Sequence, residues 1–298
     1  MRAVYPIHRR PSTTFGTGGT RAPIALSRAT VRARLSLSVG VVLVSLGLGV
    51  AARAEDPDTA EVVRRNFIAD KVPDSRAEIT MTLVSESGTR RERSTLSLSK
   101  LLPNGIDRQR VIRFLAPAEV KGTATLLVEH ADGDDDIWIY LPALRKVRRL
   151  IANNKKDSFV GTDFSYGDII GHRIEDWTHQ LVGRETVGGF ETYVIEAVPR
   201  SDAVRETSGY GKRKMWIRAD NHVAVKATYW DGGGALIKEF EAEDVRMIDP
   251  KADKWQAFHL TMHNRQTGHR TELVFTRLDV GVGLRDEEFS ERYLDKEP

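Results

Sequence analysis

The chain contains no cysteine. Disulfide bonds and a cysteine nucleophile are therefore excluded, and so is the cysteine that usually carries a lipid once an export signal has been cleaved. The chain has 298 residues, which is enough to bury a hydrophobic core without covalent cross-links. We expect side-chain packing alone to stabilise the fold.

The familiar local motifs of enzymes are also missing. The sequence has no G-x-S-x-G, no H-E-x-x-H, no phosphate-binding loop and no dinucleotide fingerprint. His259 and His263 lie on one predicted strand, about 13 Å apart, which is too far for two ligands of one metal ion. His263 and His269 flank a predicted turn without an evident third ligand. We predict no catalytic residue, no metal and no cofactor; an enzyme with dispersed catalytic residues is the alternative.

Acidic residues are absent from the first 54 positions, which carry eight arginines. A weakly polar run of 16 residues, 35–50, precedes Ala52-Arg53-Ala54. A basic flank, an apolar core and a small-residue site are typical of a secretory signal peptide, and we predict cleavage after Ala54. Residues 1–54 are then a signal peptide with a polar extension, and residues 55–298 are one periplasmic domain. The alternative is an uncleaved anchor, although a spanning helix needs about 20 apolar residues.

Removal of this segment reverses the net charge. The whole chain has 45 basic and 42 acidic residues and a net charge of +3. Loss of the eight arginines leaves 37 basic residues against 42 acidic ones, a net charge of −5. Because nucleic-acid binding rests on positive charge presented to phosphates, we predict no nucleic-acid partner.

Most of the remaining sequence alternates between apolar and polar residues. Ile79 and Met81 alternate with threonines, and Leu96 and Leu98 flank Ser97. Side chains of a strand point to opposite faces in turn, so these segments are predicted strands with one dry face. Short turn sequences separate about ten to eleven such strands, which favours antiparallel hairpins. We predict a mainly β fold, an antiparallel sheet that curls around an interior.

Short helices interrupt this pattern. Asp58 is the predicted N-cap of the first helix, and Glu61 completes a capping box. Two further short helices are predicted within residues 162–170, capped by Thr162 or Asp163, and within residues 286–294.

The strand at residues 136–142 is apolar on both faces. Ile137 and Ile139 point one way, whereas Trp138 and Tyr140 point the other. Both faces are therefore covered. One face meets the ordinary core, and the other meets a helix or an apolar ligand.

A basic segment follows this strand and includes Arg145, Lys146, Arg148 and Arg149. One interpretation is transient contact with a membrane surface, where each cation gains about 1 kcal/mol near anionic lipid. The other is an edge strand that its charges protect from aggregation.

Residues 159–170 carry three aromatic side chains, Phe159, Phe164 and Tyr166. A short helix with exposed aromatics is suited to cover a concave sheet as a lid. The alternative is a loop whose aromatics fill the core.

These segments follow one another in a recognisable order. The pieces that carry it are Tyr140-Leu141-Pro142, Arg148-Arg149-Leu150, Phe159-Val160-Gly161 and Asp163-Phe164-Ser165-Tyr166-Gly167-Asp168, flanked by Phe114-Leu115-Ala116-Pro117 and Leu236-Ile237-Lys238. In this pattern the chain resembles a divergent branch of the LolA-like family of outer-membrane lipoprotein-sorting proteins.

The resemblance implies an incomplete antiparallel β-barrel, with short helices over its concave face and an apolar cavity between them. It implies a periplasmic carrier that moves an acyl chain, a lipid or a lipoprotein between envelope membranes. Some members are encoded beside resistance-nodulation-division-type exporters, which indicates an inner-membrane transporter as partner. The alternative is a lipid- or lipoprotein-sensing regulatory module of an envelope-stress pathway. We predict that the ligand contacts Trp138, Tyr140, Phe159, Phe164 and Tyr166.

Overall fold

A computed structural model describes residues 56–151 and 155–296. The predicted signal peptide and its cleavage after Ala54 lie outside the described residues. Within them the chain forms one antiparallel sheet of thirteen strands, with a few short helices. The strands, in chain order, are β1 (Asp74–Val84), β2 (Arg90–Leu101), β3 (Arg108–Ala116), β4 (Ala124–Val128), β5 (Asp136–Leu141), β6 (Lys146–Leu150), β7 (Trp177–Val187), β8 (Phe190–Pro199), β9 (Lys212–Arg218), β10 (Ala224–Trp230), β11 (Leu236–Asp249), β12 (Lys254–Asn264) and β13 (Arg270–Val280).

The sheet is an open meander in two halves. Its spatial order is β6-β5-β4-β3-β2-β1-β13-β12-β11-β10-β9-β8-β7, so the first and last strands pair in the middle. The two edges, β6 and β7, are consecutive in the chain and do not pair with each other. This is the incomplete barrel expected from the sequence, and the mainly β fold is confirmed.

The prediction of about ten to eleven strands falls short of the thirteen observed in the described residues. The two edge strands carry the weakest pattern of buried residues. β6 has no buried residue, and β7 buries only Trp177. Neither edge therefore shows the regular apolar alternation by which strands were counted.

The helices are α1 (Thr59–Ile68), α2 (Tyr166–Ile170) and α3 (Asp202–Ser208), accompanied by short 3-10 turns that include Asp286–Phe289 and Glu291–Tyr293. Within the described residues no helix has the length and apolar character needed to cross a membrane.

Asp58 caps α1 as predicted, because its carboxylate accepts from the backbone N–H of Ala60 at 3.1 Å. Glu61 does not complete a capping box. Its carboxylate instead pairs with Arg64 and Arg65 on the following turn, at 2.8 and 2.6 Å. Val62 and Val63 of this helix pack in one buried cluster with residues of β8 and β9.

The cap of α2 differs from the prediction. Ser165 occupies the position, not Thr162 or Asp163, and Asp168 closes a capping box with it. Asp168 N–H donates to Ser165 Oγ at 3.1 Å, and Ser165 N–H donates to the Asp168 carboxylate at 2.9 Å. Asp163 is occupied elsewhere, since its carboxylate accepts a hydrogen bond from the Thr271 hydroxyl at 2.7 Å.

Both faces of the β2–β5 region are covered, by different parts of the chain. On the concave face, Ile112, Leu127 and Ile137 pack with the segment that precedes and includes α2. On the opposite face, a second cluster joins Leu98 and Leu126 to the C-terminal 3-10 turns. Arg113 (on β3) fastens those turns by donating to the carbonyl oxygens of Tyr293 and Leu294, each at 2.9 Å.

Candidate ligand cavity

A cavity of about 270 Å³ lies between the concave face of the sheet and α2. Strands β1, β3 and β11 to β13 supply most of its apolar wall, and α2 lies across it. The apolar lining residues are Val72, Ala77, Ile79, Met81, Ile112, Phe164, Ile169, Ile170, Phe240, Ile248, Leu260, Leu273, Phe275 and Leu278. The predicted alternation of Ile79 and Met81 is confirmed, because both side chains are buried on this face.

The segment 159–170, hereafter the cover, crosses the concave face because it joins the two edges of the open sheet. Its three aromatic side chains are buried, with exposures of 0% for Phe159, 4% for Phe164 and 5% for Tyr166. Phe159 packs on Phe114 and Tyr166, with ring centroids 6.1 and 5.3 Å apart. The aromatic side chains of the cover therefore fill part of the core on the concave face, as the alternative to an exposed lid predicted, and the cavity lies beside them.

A buried polar network around Asp168 fastens the cover to the second half of the sheet. The carboxylate accepts from Tyr210 Oη at 2.9 Å and pairs with Lys238 Nζ at 3.1 Å. Lys238 Nζ also lies 3.0 Å from Tyr210 Oη. Burial opposes ionisation of the carboxyl, but Lys238 and the Ser165 N–H hold the pKa of Asp168 well below its usual range.

His172 lies beside this network but beyond hydrogen-bond distance of it, since Nε2 is 3.7 Å from Asp168. Burial and the nearby Arg213 lower the pKa of His172 to about 4. The imidazole is therefore neutral at physiological pH, and Asp168 has Lys238 as its main counter-charge.

The first half of the sheet holds the cover through arginines. Arg93 Nη1 donates to the Val160 carbonyl at 2.6 Å, and Arg110 Nη1 donates to the Ile169 carbonyl at 2.9 Å. Both interactions are with backbone atoms. Side-chain substitutions in the cover therefore leave these two acceptors in place.

A second cavity, of about 320 Å³, meets the first at Ile170 and Gly171. It lies beneath α1 and is lined in part by Phe67, Ile68 and Ile174. The accessible surface of its lining is mostly apolar, although charged side chains such as Arg64, Glu129 and Arg173 also contribute to it.

Charged residues stand where the two cavities approach each other. Lys71 Nζ pairs with Glu129 at 2.5 Å, and the two side chains are 2% and 9% exposed. Arg108 pairs with Asp70 at 2.9 Å and with Glu129 at 3.4 Å. Together with Arg110, whose electrostatic neighbours include Arg108, Asp70 and Glu129, they form what we call the rim cluster.

The five predicted ligand-contacting residues do not lie together. Phe164 lines the cavity, while Phe159 and Tyr166 pack in the buried cluster beside it. Trp138 and Tyr140 lie on the opposite face of β5, against the cluster that contains the C-terminal turns. Ile137 and Ile139, not the aromatics, are the buried residues of β5. Ligand contact by the five residues stays a prediction.

The basic segment forms β6, which lies at an edge of the sheet. This agrees with the interpretation of the segment as a charged edge strand. Arg145, Lys146, Arg148 and Arg149 are exposed. Arg149 pairs with Asp136 on the neighbouring strand and lies over the Trp138 ring. The exposed cations therefore remain available to a surface.

Sequence reasoning missed the Asp168 network and the rim cluster. Asp168 and Lys238 each belong to a segment quoted for the family resemblance, but they are 70 residues apart. Lys238 follows Leu236 and Ile237, and nothing in that segment indicates a buried carboxylate partner. Its partner becomes visible only when the cover is folded over the sheet.

Comparisons with known proteins give one family match and several similar structures. A protein-family model described as "Uncharacterized protein" matches residues 107–296. A comparison with curated proteins finds no match.

Three solved structures are similar over most of the chain. An outer membrane lipoprotein-sorting protein domain from Vibrio parahaemolyticus is 29% identical with a TM-score of 0.72, covering 79% of this chain and 97% of its own. A DUF1329 family protein from Desulfovibrio piger gives the same identity, TM-score and coverage. A LolA superfamily protein from Nitrosomonas europaea is 18% identical with a TM-score of 0.62, covering 80% of this chain and 100% of its own, and shows a likeness of fold.

Proposed function

The chain belongs to the family whose model matches residues 107–296 and has a LolA-like fold, and from this premise we propose that it is a periplasmic carrier. It binds an acyl chain, free or as part of a lipid or lipoprotein, and moves it between envelope membranes. The observation that carries the proposal is the apolar cavity between the concave face and the cover. Carriage needs no catalytic residue, and we assign none.

The size and chemistry of the cavity suit an extended hydrocarbon. The cavity between the sheet and the cover, of about 270 Å³, lies just below the usual lower limit of about 300 Å³ for small-molecule sites, and the neighbouring cavity, of about 320 Å³, lies just above it. Each buried methylene gains about 0.8 kcal/mol, so a chain with about ten buried methylenes gains about 8 kcal/mol before the costs of association. That gain is sufficient to draw an acyl chain out of water.

The same gain opposes release, so a carrier needs a way to open. We assign this role to the cover, whose contacts with the sheet combine buried aromatics with a few polar anchors. Opening at the Asp168 network frees the side of the cover that faces β11 to β13. An inner-membrane transporter of the resistance-nodulation-division type is the partner we propose for loading.

The exposed edge strand β6 is the surface we propose for transient membrane contact. Arg145, Lys146 and Arg148 lie between Leu144 and Ile151, which are 48% and 66% exposed. Cations flanked by exposed apolar side chains suit an anionic membrane surface. Contact there places the β6 edge of the open sheet next to the bilayer.

Co-purified lipid tests the carrier function. The protein exported to the periplasm of a bacterial host is extracted with organic solvent, and the extract is analysed by mass spectrometry. We expect about one acyl-chain ligand per protein molecule. A clean extract, together with no uptake of an added acyl chain, would contradict the proposal.

A matched pair of variants locates the ligand. Leu260→Trp adds bulk to the cavity wall, whereas Thr261→Trp adds the same side chain to the opposite face of the same strand. We expect lipid to be lost from the first variant and kept by the second. Equal lipid in both would place the ligand elsewhere, and a stoichiometric protein partner without lipid would favour the regulatory alternative.

A further inference from the structure

The concave face changes from apolar to polar along β1, β2 and β3. Ser75, Ser99 and Arg110 are direct cross-strand neighbours, and all three line the cavity. The next row inward contains Ala77, Ser97 and Ile112, and the one after it contains Ile79, Thr95 and Phe114. The cavity therefore has a polar end and an apolar end, which is the arrangement that an amphiphile requires.

The polar end has unused hydrogen-bonding capacity. The side-chain hydroxyls of Ser75 and Ser99 make no hydrogen bond to any residue within the described ranges, although Ser75 is only 8% exposed. Directly opposed side chains in an antiparallel pair lie about 5 Å apart at their Cβ atoms. The Ser99 hydroxyl is thus close enough to share a ligand atom with the Arg110 guanidinium.

Arg110 lacks a counter-charge of its own. Its guanidinium donates to the Ile169 carbonyl, and among residues 56–151 and 155–296 no carboxylate lies within 4 Å of it. The carboxylates of the rim cluster are already paired with Arg108 and Lys71. Three cations there face two anions, which leaves one positive charge uncompensated.

Removal from water lowers the pKa of Arg110 to about 10, and the neighbouring Arg108 acts in the same direction. The guanidinium nevertheless stays protonated at neutral pH. A charge that is partly removed from water and lacks an ionic partner is costly to keep, unless a ligand supplies the partner.

We propose that Ser75, Ser99 and Arg110 form the head-group site of the cavity and that the ligand is an anionic amphiphile. Its carboxylate or phosphate binds the Arg110 guanidinium and the two hydroxyls, while its acyl chain occupies the apolar end between Met81 and Leu273. This assignment rests on the proposed function and narrows the ligand to an acyl chain that bears a negative charge.

Three ligands of equal chain length test the assignment: dodecanoate, dodecyl phosphate and dodecanol. Their dissociation constants are measured by isothermal titration calorimetry with the delipidated protein. Hydrogen bonds to charged groups are stronger than neutral ones, so we expect at least one anion to bind about tenfold more tightly than dodecanol. Whichever anion binds more tightly distinguishes a fatty acid from a phospholipid as the source of the charge.

Two variants and one control assign the effect to residues. Arg110→Met should remove the preference for the anion over dodecanol, compared within the same variant so that any effect of the lost contact with the Ile169 carbonyl is shared by both ligands, and Ser99→Ala should weaken anion binding about threefold. Arg76→Met is the matched control, because Arg76 neighbours Ser75 on the opposite, exposed face of β1. Retained dodecanol binding in each variant shows that the substituted protein is folded.

The outcomes separate the two proposals. If the three ligands bind equally, or if the preference for the anion survives in Arg110→Met, the head-group site is wrong and the carrier function stands. If none of the three ligands binds to the wild-type protein, the carrier function itself fails.

Discussion

Replacement of Asp168 by Asn tests whether a buried ion pair holds the cover closed. The side chains of Asp168 and Lys238 are 4% and 15% exposed, and their charged atoms are 3.1 Å apart. Asn preserves the size of the side chain and removes its charge. Lys238 is then left as a buried cation whose remaining partner is the Tyr210 hydroxyl.

The expected cost is large. Removing one member of a buried ion pair typically costs 3–5 kcal/mol, and retention of one acceptor oxygen for Tyr210 or Ser165 places this variant near the lower value, about 3 kcal/mol. For a domain of this size each kcal/mol moves the melting temperature by about 2–4 °C, so we expect Tm to fall by about 10 °C. If the cover gates the cavity, bound dodecanoate should also dissociate faster.

Asp163→Asn is the matched control for this measurement. Asp163 also belongs to the cover, but its partner is the neutral Thr271 hydroxyl, so its loss should cost about 1 kcal/mol. Tm is measured by circular dichroism, and ligand release by stopped-flow displacement. Equal Tm shifts in the two variants, or an unchanged Tm in Asp168→Asn, would refute the argument that the ion pair fastens the cover.

Two further predictions concern pH and the sheet edge. The pKa of His172 in the folded protein, about 4, lies below its ordinary value of 6.5. As the pH falls, the unfolded chain therefore binds a proton at this residue before the folded protein does. We expect the free energy of unfolding to decrease by about 3 kcal/mol between about pH 7 and about pH 4. His172→Gln should flatten that part of the pH profile, whereas parallel profiles for the two proteins would show that His172 does not contribute. The double variant Lys146→Glu, Arg148→Glu should lower the affinity for anionic phosphatidylglycerol vesicles, measured by sedimentation, by at least tenfold. The control is Arg90→Glu, Arg91→Glu on β2. An equal loss of affinity in both double variants would show that β6 is not the contact surface.

The alternation of apolar and polar residues predicted the positions of the strands better than it predicted which face of each strand lines the cavity. Ile79 and Met81 were correctly taken as one buried face of β1. On β2, however, the buried Leu98 packs away from the cavity, and Ser97 and Ser99 line it. Alternation of apolar and polar residues along a strand separates the two faces of a sheet but does not identify the concave one. Either face can be apolar, because another part of the chain can cover it.

The same ambiguity explains the aromatic strand β5. Trp138 and Tyr140 were expected to meet a helix or a ligand, and they lie against the C-terminal 3-10 turns. The sequence correctly predicted that another part of the chain would cover this face. It did not indicate that the covering residues are the C-terminal turns, more than 140 residues downstream. Aromatic content alone therefore did not distinguish the concave face from the face that the C-terminal turns cover.

Long-range charge pairing was beyond local sequence patterns. Lys71 pairs with Glu129, which is 58 residues away, and Asp168 pairs with Lys238. Each of these residues looks like an ordinary surface charge in its own segment. They become buried partners because the sheet curls and because the cover must cross from β6 to β7.

The position of a bound acyl chain tests the central claim most directly. A crystal structure of the delipidated protein with a terminally brominated fatty acid locates the end of the chain by the anomalous scattering of bromine. We predict a bromine peak between the cover and the concave face, in contact with side chains such as Met81, Leu260 or Leu273. A peak outside this space, or a cavity closed by the aromatic side chains of the cover with no ligand inside, would contradict the account.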